Sequence, residues 1–417
     1  MKELEQVCVE VKAASRVLAG LSGRHRDAAL AEMAEALERR SAEILRENQK
    51  DVEAAKRSHA APALIDRLLL DEDRVADMAA GVRAVATLPD PVGAVDGGWT
   101  MPNGLEIVRR RVPLGVVAVV YEGRPNVTAD AVALCLKSGN AVILRGSGTA
   151  MRSNLIITEV LTGALIAADA PRWAVALLGP DREELRRLLG MEGVVDLVIP
   201  RGGEELKAFI KEHARVPVIY AASGNNHVYV HSDADLDVAA KVTINAKVQR
   251  PGVCNAAETL LVHRDCAGEF LPRTAARLRA QGVELRIDRA GLDLLGEAAE
   301  GLSEATDADY GTEFLDLVLA VRIVDSLDDA LDHIARHGSG HSEAILTRSL
   351  DAARRFQGAV DAAAVYVNAS TRFTDGGEFG MGAEMGISTQ KLHARGPIGL
   401  AELTTYKYLV TGDGHVR

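Results

Sequence analysis

The chain has 417 residues, a length typical of two or three domains that each bury a core. Apolar residues make up 47% of the chain and charged residues 26%, a composition that excludes a largely disordered protein. Acidic side chains outnumber basic ones by 59 to 48, and the formal charge of -11 argues against nucleic acid as a partner because both molecules would be negative.

The N-terminus and the cysteines indicate the compartment. The first residues carry acids where a signal peptide would have its apolar segment. No apolar run approaches the roughly 18 to 20 residues of a membrane span. The four cysteines lack CxxC spacing, so each is expected as a free thiol: Cys8, Cys135, Cys254 and Cys266. We therefore expect a cytoplasmic protein with no membrane partner.

The order of elements along the chain predicts an α/β fold. Residues 1–88 have apolar side chains at helical spacing and form a helical layer. Short apolar strands then alternate with amphipathic helices, which is typical of open parallel sheets with flanking helices. The predicted strands are 116–121, 141–145, 174–179, 194–200, 218–221, 258–263, 283–287, 316–324, 343–346 and 363–368.

Two further segments form a small β segment outside these sheets. Residues 106–112 and the late run LTTYKYLVT read as two-faced strands that could pair with each other. A late strand of this kind often pairs with another subunit, so we expect a homo-oligomer. The charge run Arg109–Arg111 fits a solvated strand, with a substrate or subunit contact as the alternative.

Cys254 is the strongest candidate nucleophile in the sequence. Pro251 and Gly252 force a loop between a helix that ends near Val248 and the next strand. Backbone N–H groups and the cations Lys247 and Arg250 can lower the thiol pKa there. An inert loop cysteine is the alternative.

Two kinds of strand end suggest ligand binding. In EGRPNV, Pro125 prevents helix at Arg124 and places Asn126 at the carboxyl end of a strand, where its amide can serve an oxyanion or cap the next helix. Small-residue turns follow two other strands, at RGS (145–147) and RGG (201–203). They indicate a dinucleotide site or ordinary loops, because neither is a GxGxxG motif.

Three histidines at 333, 337 and 341 include a pair one helical turn apart, as in a zinc site. No Glu follows His333 as HExxH requires, and Gly338 and Gly340 end the helix before His341. The pattern favours a hydrogen-bonded turn over a metal site.

Four stretches together resemble the gamma-glutamyl phosphate reductases, also called glutamate-5-semialdehyde dehydrogenases, of the aldehyde dehydrogenase superfamily. They are 109–147, 245–262, 324–348 and 365–409, and the histidine stretch is the most specific of them. The resemblance implies an aldehyde-dehydrogenase-like fold. Residues 1–225 would form a cofactor-binding domain, completed by part of 355–374, and 226–354 a catalytic domain. Residues 98–112 and 375–417 would supply oligomerisation strands and the C-terminal tail.

The resemblance also implies an activity. It is the NADPH-dependent reduction of L-glutamyl 5-phosphate to L-glutamate 5-semialdehyde and phosphate through a cysteine thioester, the second step of proline biosynthesis, with functional coupling to glutamate 5-kinase. Where hydrolytic relatives have Glu-Leu-Gly-Gly-Lys, this chain has AASGNNH (221–227) and lacks the general base. The alternatives are a reductase of another acyl phosphate or aldehyde, a zinc-dependent dehydrogenase or hydrolase, and a non-catalytic binding protein.

Site roles follow from the resemblance position by position. Cys254 would be the nucleophile and Asn126 the oxyanion donor, and no metal is implied. The expected NADPH contacts are Arg145, Gly146, Ser147, Gly202, Gly203 and Glu313. The expected contacts to the anionic substrate are Arg124, Arg250, Ser370 and His393.

Overall fold

The structure is a computed structural model that describes residues 3–417. The chain divides into two compact units. The first comprises Met1–Ala221, Gly380–Gly386 and Ile398–Arg417, and the second comprises Ala222–Phe379 and Ile387–Pro397. The assignment of cofactor binding to one and catalysis to the other stays a prediction.

The first unit opens with helices, as the spacing of residues 1–88 predicts. They are α1 (Leu4–Gly20), α2 (Gly23–Arg39), α3 (Ser41–Arg57), α4 (Pro62–Leu68) and α5 (Glu72–Thr87). Side-chain caps begin two of them: Ser22 accepts from the His25 N–H, and Asp71 accepts from the Arg74 N–H. Helix α2 buries Leu30, so the apolar side of this helical layer faces inward.

A four-stranded parallel sheet forms the centre of the first unit. Its strands are β3 (Val116–Tyr121), β4 (Ala141–Arg145), β5 (Val175–Leu178) and β6 (Leu197–Arg201), in the order β5-β4-β3-β6. The accompanying helices are α6 (Asn126–Lys137), α7 (Met151–Ala167), α8 (Arg182–Leu189) and α9 (Glu204–His213). The chain builds outward from β3 to β5 and then returns to the other side of β3. Open α/β sheets place ligands at the carboxyl end of the strands at such a reversal.

The predicted pairing of the two-faced strands is confirmed. Strands β1 (Val95–Thr100), β2 (Glu106–Pro113) and β16 (Thr404–Thr411) form an antiparallel sheet in which β2 is central. Trp99 and Tyr408, which meet edge to face, are each about half exposed.

One helical stretch, Gly148–Ala167, is long and apolar enough by composition to cross a membrane, which the sequence analysis did not expect. More than half of it is buried inside the protein, and it packs on α2, α3 and β5. A core helix of a folded domain passes the same test, and we read it as one.

A seven-stranded sheet, parallel throughout, forms the second unit, in the order β10-β9-β11-β8-β7-β12-β13. The strands are β7 (Asn226–Val230), β8 (Ala257–His263), β9 (Glu284–Ile287), β10 (Ser303–Glu304), β11 (Val318–Val324), β12 (Ser342–Leu346) and β13 (Ala364–Val367), beside a separate pair, β14 (Ile387–Ser388) and β15 (Gly396–Pro397). The helices are α10 (Leu236–Val248), α11 (Arg264–Ala280), α12 (Arg289–Leu295), α13 (Asp307–Tyr310), α14 (Leu327–His337) and α15 (Leu350–Ala359).

Two strand predictions need correction. The strand predicted at 218–221 is wrong: Val218 forms a single isolated bridge with Val198 and the pairing goes no further. Strand β7 was missed, although all five of its residues are buried and it lies between β8 and β12. Its first two residues, Asn226 and His227, are polar, which left only three apolar residues in the pattern.

Candidate active site

The loop that carries Cys254 lies between α10 and β8 in the second unit. Cys254 is partly buried, whereas the other three cysteines are buried. The Nδ2 of Asn226, a fully buried side chain, donates to the carbonyl oxygens of Cys254 and Ala256, both at 2.7 Å. Its Oδ1 accepts from the Ser342 N–H at 3.1 Å. Asn226 therefore fixes the cysteine loop to the start of β12.

Gly224 packs closely against the same loop. A Cβ added at Gly224 would lie 1.5 Å from the carbonyl oxygen of Cys254, so no larger residue fits without moving the loop. The Gly224 N–H donates to Oε1 of Glu313 at 2.6 Å. Two predicted site residues, Cys254 and Glu313, therefore both lie against the backbone of Gly224.

Lys247 does not act as the free cation that the sequence suggested. Its ammonium contacts Oε2 of Glu258 at 2.5 Å, and both side chains are fully buried. Burial raises the pKa of Glu258 to about 7 and lowers the pKa of Lys247. Oε1 of Glu258 also accepts from the Leu315 N–H at 3.2 Å. The pair ties both ends of the cysteine loop to the segment that follows Glu313.

The predicted substrate contacts differ in their surroundings. Arg250 and His393 are exposed in the second unit, and Arg124 is exposed in the first. Ser370 is buried, and its Oγ accepts from the Arg372 N–H at 3.3 Å, which gives it a capping role in the turn. Sequence reasoning missed Arg372, the arginine of the STRF run two residues after Ser370.

The three histidines have separate hydrogen-bond partners. Nδ1 of His333 lies 2.6 Å from Nη1 of Arg322, and Nδ1 of His341 lies 2.8 Å from Oγ of Ser342. Burial lowers the pKa of His333 to about 2 and that of His341 to about 4, so both are neutral at pH 7. The ring of His337 lies tilted against that of His333, with ring centroids 4.6 Å apart. Within residues 3–417, no group of three or more His, Cys, Asp or Glu side chains is arranged to hold a metal ion.

Arg145, Gly146 and Ser147 follow β4 in the first unit. Nη2 of Arg145 donates to the Pro180 carbonyl at 2.5 Å, and its buried Nε has no hydrogen-bond partner among residues 3–417. Burial lowers the pKa of Arg145. A Cβ on Gly146 would lie 2.1 Å from the Asn154 amide. The chain at this turn is therefore held close to the helix that follows it.

The second small-residue turn contacts the carboxylate of Glu122, a residue that was not predicted from the sequence. The Gly203 N–H donates to Oε2 of Glu122 at 3.0 Å, and a Cβ on Gly202 would lie 2.5 Å from the same oxygen. Glu122 directly follows β3, and the next residue, Gly123, donates its N–H to Oγ of Ser147 at 3.2 Å. Both turns thus meet at the strand ends beside β3.

This edge of the sheet suits a dinucleotide. It combines the positive charge of the Arg145 guanidinium, the Ser147 hydroxyl and a glycine turn at the start of α9. Such a set offers donors for phosphate oxygens and ribose hydroxyls.

The capping alternative for Asn126 is wrong. Asn126 is the first residue of α6, Pro125 occupies the cap position, and no side chain among residues 3–417 caps the helix. The exposed Asn126 instead donates through Nδ2 to Oδ2 of Asp130 at 3.2 Å. Burial raises the pKa of Asp130 to about 6. The contact holds the Asn126 side chain against the next turn of α6.

Comparison with known proteins places the chain in a family. The sequence profile of the aldehyde dehydrogenase family matches residues 1–290. The gamma-glutamyl phosphate reductase of Moorella thermoacetica is 55% identical over 405 residues, which cover 97% of this chain and 96% of the relative.

Solved structures agree. The crystal structure of gamma-glutamyl phosphate reductase from Thermotoga maritima matches with a TM-score of 0.97 and 45% identity, covering both chains completely. Glyceraldehyde-3-phosphate dehydrogenase from Methanocaldococcus jannaschii, solved with NADP, matches with a TM-score of 0.69 at 16% identity, over 99% of this chain and 94% of that one, and shows the fold alone. The chain belongs to the gamma-glutamyl phosphate reductases of the aldehyde dehydrogenase family.

Proposed function

We propose that this protein reduces L-glutamyl 5-phosphate to L-glutamate 5-semialdehyde and phosphate with NADPH, through a thioester on Cys254. The relatives' name supports the reaction. The observation that carries the mechanism is the cysteine loop, in which Asn226 and Gly224 hold the one cysteine that is not buried.

The first step is acyl transfer to sulfur. The Cys254 thiolate attacks the acyl carbon, the C–S bond forms, and the carbon–oxygen bond to phosphate breaks, so phosphate leaves with the electron pair. The Cys254 N–H and the Asn126 amide are the proposed donors to the oxyanion. One such donor contributes about 3 to 4 kcal/mol to the stability of the transition state.

The second step is reduction and release. NADPH, when bound, would supply the hydride that converts the thioester to a thiohemiacetal. Arg145, Gly146, Ser147, Gly202 and Gly203 would hold the dinucleotide, and Glu313 a ribose hydroxyl. Cleavage of the C–S bond then releases the aldehyde, and Cys254 returns to its thiolate. A distant relative of the same fold, solved with NADP, is consistent with this cofactor.

A coupled assay tests the proposal. Glutamate, ATP and a glutamate 5-kinase generate the labile acyl phosphate in place, and NADPH oxidation is followed at its absorbance. We expect oxidation that requires the kinase, ATP and this protein together. NADPH oxidation that is independent of the kinase, or that appears only with another acyl phosphate, would favour the alternative substrate.

The oxidative direction should depend on inorganic phosphate. AASGNNH offers no glutamate to activate water, a contribution of about 10² to 10⁴ in rate, so the thioester should partition to phosphate. We expect NADPH formation from the semialdehyde and NADP to rise steeply with phosphate. Comparable rates in phosphate-free buffer, with free glutamate as product, would contradict this. Ala222→Glu or Ser223→Glu should restore some phosphate-independent oxidation.

Arg145 should favour NADPH over NADH. Its guanidinium can pair with the 2'-phosphate, a charge-assisted contact of about 1.5 to 3 kcal/mol, so Arg145→Ala should narrow the ratio of kcat/KM values by about 10-fold or more. Because Arg145 also bonds to the Pro180 carbonyl, thermal stability is measured in parallel. An unchanged ratio of kcat/KM values would mean that another cation binds the 2'-phosphate. The exposed Arg182, which lies in the electrostatic field of Arg145, is the next residue to replace.

We propose that the protein is a cytoplasmic homo-oligomer, and the antiparallel sheet supports the oligomer. Apolar and aromatic side chains lie exposed on β1 and β16, including Trp99, Tyr406, Tyr408 and Val410. Such a patch is typical of a protein interface. Sedimentation velocity measures the state, and a monomer at micromolar concentration would contradict it.

A further inference from the structure

We propose that Arg372, together with Arg250, forms a binding subsite beside Cys254 for the phosphate group of the acyl phosphate and for inorganic phosphate in the reverse direction. This inference rests on the proposed function and adds a residue and a ligand group to it.

Hydrogen bonds hold the Arg372 turn against the cysteine loop. The side chain of Asn255, the residue after Cys254, donates to the carbonyl oxygens of Arg372 at 3.3 Å and Thr374 at 2.9 Å. In return, the Thr371 hydroxyl donates to the Asn255 carbonyl at 2.7 Å. The backbone of the turn is thus fixed to the residue that follows the nucleophile.

The Arg372 side chain extends along the other end of the same loop. Its Nε donates to Oε1 of Gln249 at 2.9 Å, five residues before Cys254. The bond to Gln249 uses Nε, and the other two guanidinium nitrogens, Nη1 and Nη2, are the paired donors that we assign to the ligand. That fork matches two oxygens of a phosphate.

The charges around Arg372 favour an anion. Arg372 lies in the electrostatic field of Arg250 and of the Cys254 thiol, and burial together with Arg250 lowers its pKa. Two acids, Asp375 and Glu378, are the opposing charges. Oδ1 of Asp375 already accepts from the N–H groups of Gly377 and Glu378, at 2.8 and 3.3 Å. Arg372 is partly buried and Arg250 is exposed, and a bound dianion would offset the repulsion between these two like charges.

The chemistry of the substrate selects its phosphate over its α-carboxylate. A single bridging oxygen joins the phosphorus to the carbon that Cys254 attacks, whereas a chain of carbon atoms separates that carbon from the α-carboxylate. A cation in the field of the thiol is therefore placed for the leaving phosphate. The same two arginines would favour the thiolate over the thiol before substrate arrives.

Steady-state kinetics in the oxidative direction separate the two anions. With Arg372→Gln, we expect the KM for inorganic phosphate to rise about 10- to 100-fold, the effect of a lost charge-assisted contact, and the KM for the semialdehyde to change less than threefold. Arg372→Lys keeps the charge without the fork and should give an intermediate KM. Arg273→Gln is the matched control, because it removes an exposed guanidinium of the same unit that pairs with Asp237. A rise confined to the semialdehyde would assign Arg372 to the α-carboxylate and overturn the proposal.

Two measurements that need no turnover complete the test. Titration calorimetry with inorganic phosphate should show binding to the wild type and about 10-fold or more weaker binding to Arg372→Gln. The pH profile of Cys254 alkylation by iodoacetamide should move to higher pH in Arg372→Gln and stay near wild type in Arg372→Lys. Equal phosphate binding in all three proteins would overturn the subsite. Failure of the proposed function is distinguishable, since it would show as no kinase-dependent NADPH oxidation by the wild type.

Discussion

Replacement of Cys254 by alanine is expected to abolish NADPH oxidation in the coupled assay while leaving NADPH affinity within about twofold of wild type. The thiolate is the group that takes the acyl carbon, and nothing else in its loop supplies a nucleophile of comparable strength. The proposed cofactor contacts of Arg145 and the glycine turns lie on other elements. The measurements are initial rates and cofactor binding by fluorescence titration.

The cysteine inventory provides a control. Cys266 is buried and its thiol donates to the His263 carbonyl at 3.3 Å, so Cys266→Ala should retain activity. Iodoacetamide should label native wild-type protein at Cys254 first, because burial raises the pKa of Cys8 and Cys266 to about 11. Residual turnover above about one per cent in Cys254→Ala would contradict the thioester mechanism, since loss of a nucleophile removes far more than that.

Local pattern was sufficient for much of the fold. Strands β3 and β4 are apolar at every position but their last, and every residue in them is buried, which is what a parallel strand covered on both faces requires. Residues 218–221 have the same composition but pair only at Val218. Strand β7 has a weaker pattern, yet it lies inside its sheet, between β8 and β12. Whether such a segment forms a strand therefore depends on the strands available to pair with it, rather than on its composition.

The candidate site, like the fold, was predictable from local sequence only in part. Cys254, Asn126 and the glycine turns were predicted because each is marked by its own neighbours: a proline, a preceding strand or a following helix. Asn226 acts on a carbonyl 28 residues away, and Glu122 on an amide 81 residues away. Arg372 meets Gln249 across 123 residues. No local spacing encodes these contacts, so only the folded chain shows which residues hold the nucleophile.

The histidine stretch has a structural role that its sequence pattern did not indicate. Its spacing resembled a zinc pair, but Glu343 at its end accepts from both the backbone N–H and the ring of His227, at 2.8 and 2.9 Å. Both side chains are almost completely buried, and burial raises the pKa of Glu343. Because His227 adjoins Asn226, the motif supports the residue that holds the cysteine loop.

Gly224→Ala is expected to lower kcat by about 100-fold or more, the loss that follows when a reacting group is displaced by about 1 Å. The added Cβ would overlap the Cys254 carbonyl oxygen at 1.5 Å and its carbonyl carbon at 2.5 Å, and both are backbone atoms that no rotamer change can move. The loop must shift, which strains its bonds to Asn226 and the Gly224 bond to Glu313. Overpacking of this kind also costs about 1 to 3 kcal/mol of folding free energy.

Gly252→Ala is the matched control in the same loop. Its added Cβ would lie 3.6 Å from the nearest atom, the Leu315 carbonyl oxygen, which is an ordinary contact, so activity should stay within about threefold of wild type. Initial rates, melting temperature and iodoacetamide labelling of both variants decide the matter. If Gly224→Ala retains full activity while folded, the rigid loop is not what positions the thiol. If it loses activity with labelling and stability unchanged, the defect lies beyond the cysteine, at Glu313 and the cofactor ribose that it is proposed to hold.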